Sequence, residues 1–144
     1  MAKSDDAGER SRTGDISVFD RLSPLYDRVR PATDPSTLAP GLARAEREIE
    51  RVLDVGGGSG QGVRALDVRE GIVADAATGM LRRAKRHGLG AVAADASRLP
   101  FDAESVDAVI VLDALHHIAN PEAVVREAAR VLRPGGVLVI QEFD

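Results

Sequence analysis

Residues 51–62, "RVLDVGGGSGQG", lead from a short apolar run directly into five glycines. An apolar run this short reads as a strand buried on both faces, and the glycines as the turn that ends it. Outward from this point the same rhythm repeats. "SGQGVRALD" reads as a short helix and "GIVAD" (71–75) as a second strand. "TGMLRRAKRHG" reads as a helix closed by Gly88, with basic residues in its last turns as the helix dipole favours. "AVAAD" (91–95) is a third strand, and "VDAVIVLDAL" holds a fourth from about Asp107 to Leu112. Asn120 suits an N-cap with Pro121 at the first helical position, opening a helix that runs to Leu132 and stops at "RPGG". "VLVIQEF" (137–143) is the fifth strand. Apolar strands separated by helices make a parallel sheet covered on both faces. The expected fold class is α/β, doubly wound.

Upstream of Arg51 the pattern is helical. "ISVFDRLSPLYDRVR" (16–30) predicts two short helices joined at Ser23-Pro24, "PATDP" a loop, and Ser36 to Arg51 a helix rich in Ala, Glu and Arg. The opening "MAKSDDAGERSRTGD" mixes acids and bases and lacks the apolar core of a secretory signal, so it reads as a disordered tail. The expected organisation is a tail over 1–15, a helical lead-in over 16–50 and a ligand-binding α/β domain over 51–144.

With 144 residues, 44% apolar and 29% charged, the chain has the balance of a single soluble domain with its own core. No apolar run reaches the roughly 18 residues of a membrane span, which makes the cytoplasm the expected compartment. The absence of cysteine removes disulfides, thiolate nucleophiles and Cys-based zinc sites. A formal charge of −4 and 3% aromatics argue against a nucleic-acid partner, which needs a basic surface and stacking platforms.

In doubly wound sheets the ligand sits beyond the carboxyl ends of the strands. Asp54, Asp75, Asp95 and Asp113 all fall at or near those ends. Such a row of carboxylates repels a phosphate-rich ligand and suits one bearing hydroxyls, amines or positive charge. The dinucleotide pattern Gly-x-Gly-x-x-Gly fails in both registers, because its third glycine would fall on Gln61 or Val63. A phosphate loop also fails, since no lysine stands near the turn. What fits is Asp-x-Gly-x-Gly-x-Gly: Asp54, Gly56, Gly58 and Gly60, with Gly57 and Gly62 in addition.

That stretch resembles the first motif of the class I S-adenosylmethionine-dependent methyltransferases, whose sheet is Rossmann-like, and later segments continue the resemblance. It implies S-adenosyl-L-methionine as cofactor, with Gly56, Gly57 and Gly58 wrapping its methionine part. Asp75 of "IVADAATGML" stands where the family binds the ribose hydroxyls, and Ala76 after it is counted with the cofactor-binding residues. Asp95 of "AADASRLPF" stands where the family meets the adenine amino group, with Ala96 offering its backbone amide, and Asp113, which ends the fourth strand, is counted with the cofactor-binding residues. "LHHI" and "LRPGG" are similar to the small-molecule branch related to ubiquinone and menaquinone C-methyltransferases. "VFDRLSPLYD" resembles that branch's lead-in and makes Tyr26 the candidate aromatic near the cofactor. Asp54 either orients the turn or touches the cofactor. Met80 packs under the adenine or in the core.

The family sheet has seven strands, so the resemblance implies one truncated here after its fifth, with "VLVIQEF" as an apolar edge. The Asn/Asp-Pro-Pro-aromatic tetrad of amino methyltransferases is missing, "DALH" standing after strand four. The implied activity is in-line methyl transfer to a small-molecule acceptor. Two alternatives stay open: a non-catalytic cofactor-binding or partner-activating subunit, and an NAD-type oxidoreductase on the same fold. His116 and His117 point about 100° apart if helical, so they do not share a ligand. The sequence therefore assigns no catalytic residue, no metal and no oligomeric state.

Overall fold

A computed structural model describes residues 34–142. The expected tail, the two helices of 16–30, Tyr26 and Phe143 of "VLVIQEF" lie outside the described residues.

Strand β1 (Arg51–Val55) sends alternate side chains into two cores, Leu53 and Val55 to one and Val52 to the other. Around it stand β2 (Glu70–Asp75), β3 (Gly90–Ala93), β4 (Val106–Leu112) and β5 (Leu132–Gln141). Their order is β3-β2-β1-β4-β5, with every neighbouring pair parallel. β4 is buried along its whole length, as a central parallel strand should be.

The helices are α1 (Pro35–Leu42), α2 (Gln61–Arg64), α3 (Thr78–Arg86) and α4 (Pro121–Val131). On one face α4 lays Val124, Ala128 and Val131, a single helical stripe, over Leu53, Val55, Val109 and Val111. On the other, Leu38 of α1, Val63 of α2, and Leu81 and Ala84 of α3 cover Val52, Ala108, Ile110 and Leu112. Each such valine or leucine stabilises the fold by roughly 1.5–3 kcal/mol relative to exposure. The sheet is doubly wound, as its apolar strands predicted. No helix among the described residues is long and apolar enough to cross a membrane.

Boundaries differ from expectation in three places. The helix expected over Ser36–Arg51 ends at Leu42, because tertiary partners claim the backbone beyond it. The Glu46 amide donates to the Gly135 carbonyl at 2.8 Å, and the Glu50 and Arg51 amides donate to Asp107 at 3.0 and 2.9 Å. β5 begins at Leu132, since Leu132 already pairs with Val106. "RPGG" is thus an irregularity within the strand, absorbed by a register shift between Val106 and Ala108, and the helix before it closes at Val131. β3 ends at Ala93, leaving Asp95 two residues past the strand, bridged to Arg98. The Asn120 cap is as expected, its side chain accepting the Ala123 amide at 3.2 Å. Ile140 on the outermost strand is 40% exposed.

Candidate functional site

The strand order reverses between β1 and β4, and the glycine turn leaves β1 at that point, where open α/β sheets form their crevice. Gly56, Gly58 and Gly60 take φ of +68°, +59° and +85°, backbone that side chains disfavour. The turn is held from below and from the side. Asp54, 1% exposed, sits beneath it: a methyl group at position 57 would stand 2.3 Å from Asp54 Cγ. Met80 is buried in the core under Gly58.

Asp75, at the carboxyl end of β2, accepts the Gly58 amide at 2.9 Å through Oδ2 and the Ala77 amide at 2.8 Å through Oδ1. One carboxylate therefore ties the glycine turn to the start of α3. Sequence reasoning assigned Asp75 to a ligand and did not foresee this tie, because the Gly58 amide is 17 residues away. Asp95, exposed beyond β3, accepts the Ser97 amide at 2.9 Å and the Ser97 hydroxyl at 2.7 Å. Ala76 is exposed and Ala96 half-buried at the same rim.

Asp113 follows β4 with φ of +50°, and its amide donates to the Gln141 carbonyl at 2.7 Å. Ala114 then approaches the turn so closely that a methyl group on Gly56 would meet its Cβ at 2.8 Å. Leu115–His117 form a 3₁₀ turn on which His117 is exposed; the His116 side chain lies outside the described set. Glu142 accepts the Leu115 amide at 2.8 Å. Among the described residues no group of three or more His, Cys, Asp and Glu side chains could hold a metal ion.

Asp54, Asp75, Asp95 and Asp113 are thus arrayed along one sheet edge around the turn, while Tyr26 lies outside the described residues. Sequence reasoning missed Glu127, Arg130 and Glu142. The first two carry a sequence signal, an acid and a base three apart on one helix, but not the identity of what they hold.

The donor set fits a nucleoside that offers hydroxyls and an amino group. Residues 54–62 include no lysine or arginine to balance a diphosphate, whereas carboxylates at the ends of β2 and beyond β3 accept hydroxyl and amine hydrogens.

Comparison with known proteins agrees. A family model described as a methyltransferase domain matches residues 53–140. The demethylmenaquinone methyltransferase of Clavibacter sepedonicus is 35% identical over 146 residues, covering 92% of this chain and 60% of that protein. The enzyme of the same name from Mycobacterium tuberculosis (strain ATCC 25618 / H37Rv) is 39% identical over 140 residues, covering 89% and 58%. The chain therefore spans about three fifths of the length of these relatives. Among solved structures, SAM-bound CalS10, an amino pentose methyltransferase from Micromonospora echinaspora, superposes with a TM-score of 0.72 at 25% identity, covering 86% of this chain and 56% of that one. A chain in the complex of the Haloferax volcanii Trm112 methyltransferase activator with a methyltransferase gives 0.67 at 31% identity, covering 86% and 56%.

Proposed function

The chain belongs to the methyltransferase-domain family, and on that premise we propose that it binds S-adenosyl-L-methionine at the carboxyl edge of its sheet and transfers the methyl group to a small-molecule acceptor. One observation carries the reading. The glycine turn, free of lysine and arginine, is tied through the Gly58 amide to Asp75, so the bare backbone and a hydroxyl acceptor form one unit.

Gly56, Gly57 and Gly58 border the methionine part of the cofactor, and Asp75 with Ala76 takes the ribose hydroxyls. Asp95 and Ala96 meet the adenine amino edge, Asp54 supports the turn from beneath, and Asp113 borders the site from β4. Tyr26 is assigned to the same site on the family resemblance. When bound, the cofactor supplies a methyl group already activated by its sulfonium. The chain's task is alignment, which can remove about 7–11 kcal/mol of barrier without a dedicated base. The shared name of the two relatives supports a demethylmenaquinone-like acceptor, apolar and aromatic.

Titration calorimetry with S-adenosylhomocysteine and with NADH tests the cofactor assignment: the first is expected to bind and the second not, and the reverse result overturns it. Asp75→Ala is expected to weaken S-adenosylhomocysteine binding at least about tenfold, since it removes a charged acceptor and loosens the turn together. Undiminished affinity in a folded variant defeats the assignment. Incubation with labelled cofactor and a demethylmenaquinol analogue tests the acceptor by transfer of label to the quinol.

A further inference from the structure

The segment after β3, residues 95–101, has little regular structure of its own, yet it carries Asp95 and Ala96. Its first half is a turn closed on itself, with the Arg98 amide donating to the Asp95 carbonyl at 2.9 Å beside the two Ser97 bonds to Asp95. Its second half is pinned to α4. Glu127 Oε2 accepts the Leu99 amide at 2.9 Å. Arg130 donates through Nη2 to the Leu99 carbonyl at 3.0 Å and through Nη1 to the Phe101 carbonyl at 2.9 Å. The two side chains are also joined to each other, Nε to Oε1 at 3.0 Å and Nη2 to Oε2 at 2.8 Å, the two-pronged geometry of a strong ion pair. Leu99, buried at 5% exposure, packs in the cluster that holds Val124, Ala128 and Val131 of α4. Two side chains on one helix thus satisfy three backbone groups of a loop 28 to 31 residues earlier. Each rigidifies the other before gripping it, so the loop is held by a preassembled part.

We propose that Glu127 and Arg130 are a positioning pair that sets the loop of residues 95–101 and through it the selectivity of the site for adenine over other bases. The inference rests on the assignment of Asp95 and Ala96 to the adenine amino edge made above. Neither residue touches the base; they fix where the Asp95 turn stands relative to β3. The pair remains ionised under mildly acid conditions, because its bonds to Arg130 hold the Glu127 carboxyl below the ordinary glutamate range.

The experiment compares S-adenosylhomocysteine with S-inosylhomocysteine, in which an oxo group replaces the adenine amino group, by calorimetry on the full chain. The wild type is expected to prefer the adenine ligand by about tenfold or more, as a site that pairs with a polar group does against an analogue lacking it. Arg130→Ala is expected to bring that ratio to within about twofold. Arg130→Lys, which keeps the charge but cannot span Glu127 and both carbonyls, is expected to lower it partway. Glu127→Gln retains an acceptor for the Leu99 amide and is expected to keep most of the preference. If Arg130→Ala fails to fold, judged by circular dichroism, the lysine and glutamine variants decide. Variants that weaken both ligands by the same factor would show the pair to be merely structural and overturn the inference. A wild type that binds both ligands equally overturns the Asp95 assignment and the inference with it, and one that binds neither overturns the proposed cofactor.

Discussion

Gly58 and Gly60 stand in one turn with positive φ at both, yet they face different neighbours. A methyl group on Gly58 would lie 3.6 Å from Met80, in ordinary contact, so Gly58→Ala meets backbone strain alone. That strain is expected to cost about 1 kcal/mol of stability. A methyl on Gly60 would lie 2.2 Å from Leu89 Cδ1 and 3.1 Å from Val73, so Gly60→Ala also displaces the half-buried Leu89 side chain. It is expected to cost about 2 kcal/mol, more than Gly58→Ala, and urea denaturation of both variants tests the difference. Equal losses would mean that the core beneath Gly60 yields as easily as the space above Met80. The turn motif itself is legible in the sequence. That two of its glycines answer to different constraints is not, since Val73 reaches it from β2 and Leu89 from the connection before β3.

Elements differ in how much they depend on surroundings. α4 is announced by its own residues: Asn120 caps it, Pro121 opens it and its apolar stripe recurs at helical spacing. Asn120→Ala is expected to lower stability by about 1 kcal/mol while leaving S-adenosylhomocysteine affinity unchanged, measured by denaturation and calorimetry together. α1 is the opposite case. Ala, Glu and Arg after Leu42 favour helix by intrinsic propensity, but the chain turns away to pair with Gly135 and Asp107. Gly41 is pressed against Val139 of β5: a methyl there would lie 2.8 Å from Val139 Cγ2. Propensity is worth a few tenths of a kcal/mol per residue and gives way to such contacts.

Across the whole molecule, a buried carboxylate at the amino edge of the sheet lies opposite the edge that carries the glycine turn. Asp107, 1% exposed, accepts the Glu50 and Arg51 amides, bonds Arg133 at 3.1 Å and pairs with Arg47 at 2.9 Å. It joins the segment before β1 to β4 and β5. Burial pushes its carboxyl upward, but the two amides and Arg133 outweigh that and hold it below the ordinary aspartate value of 3.8. A carboxyl depressed in the folded state stabilises the fold in full above its unfolded value and loses that contribution as pH falls through the folded one. Thermal melts are therefore expected to show a loss of stability beginning below about pH 4 that Asp107→Asn lacks. Asp107→Ala, which strands two guanidinium groups and two amides, is expected to cost about 3–5 kcal/mol at neutral pH. If its melting temperature matches the wild type, Asp107 does not join these elements.

The alternation of strand and helix, the glycine turn and the acids along one edge are legible in the residues alone, because period, turn chemistry and strand length are local properties. The folded chain adds what is non-local: Asp75 grips the glycine turn, Asp107 takes the amides of the segment after α1, and Glu127 and Arg130 hold the loop after β3. Each of those is a bond between residues 17 to 57 positions apart, and no local pattern encodes which distant amide a carboxylate will meet once the sheet has closed the distance.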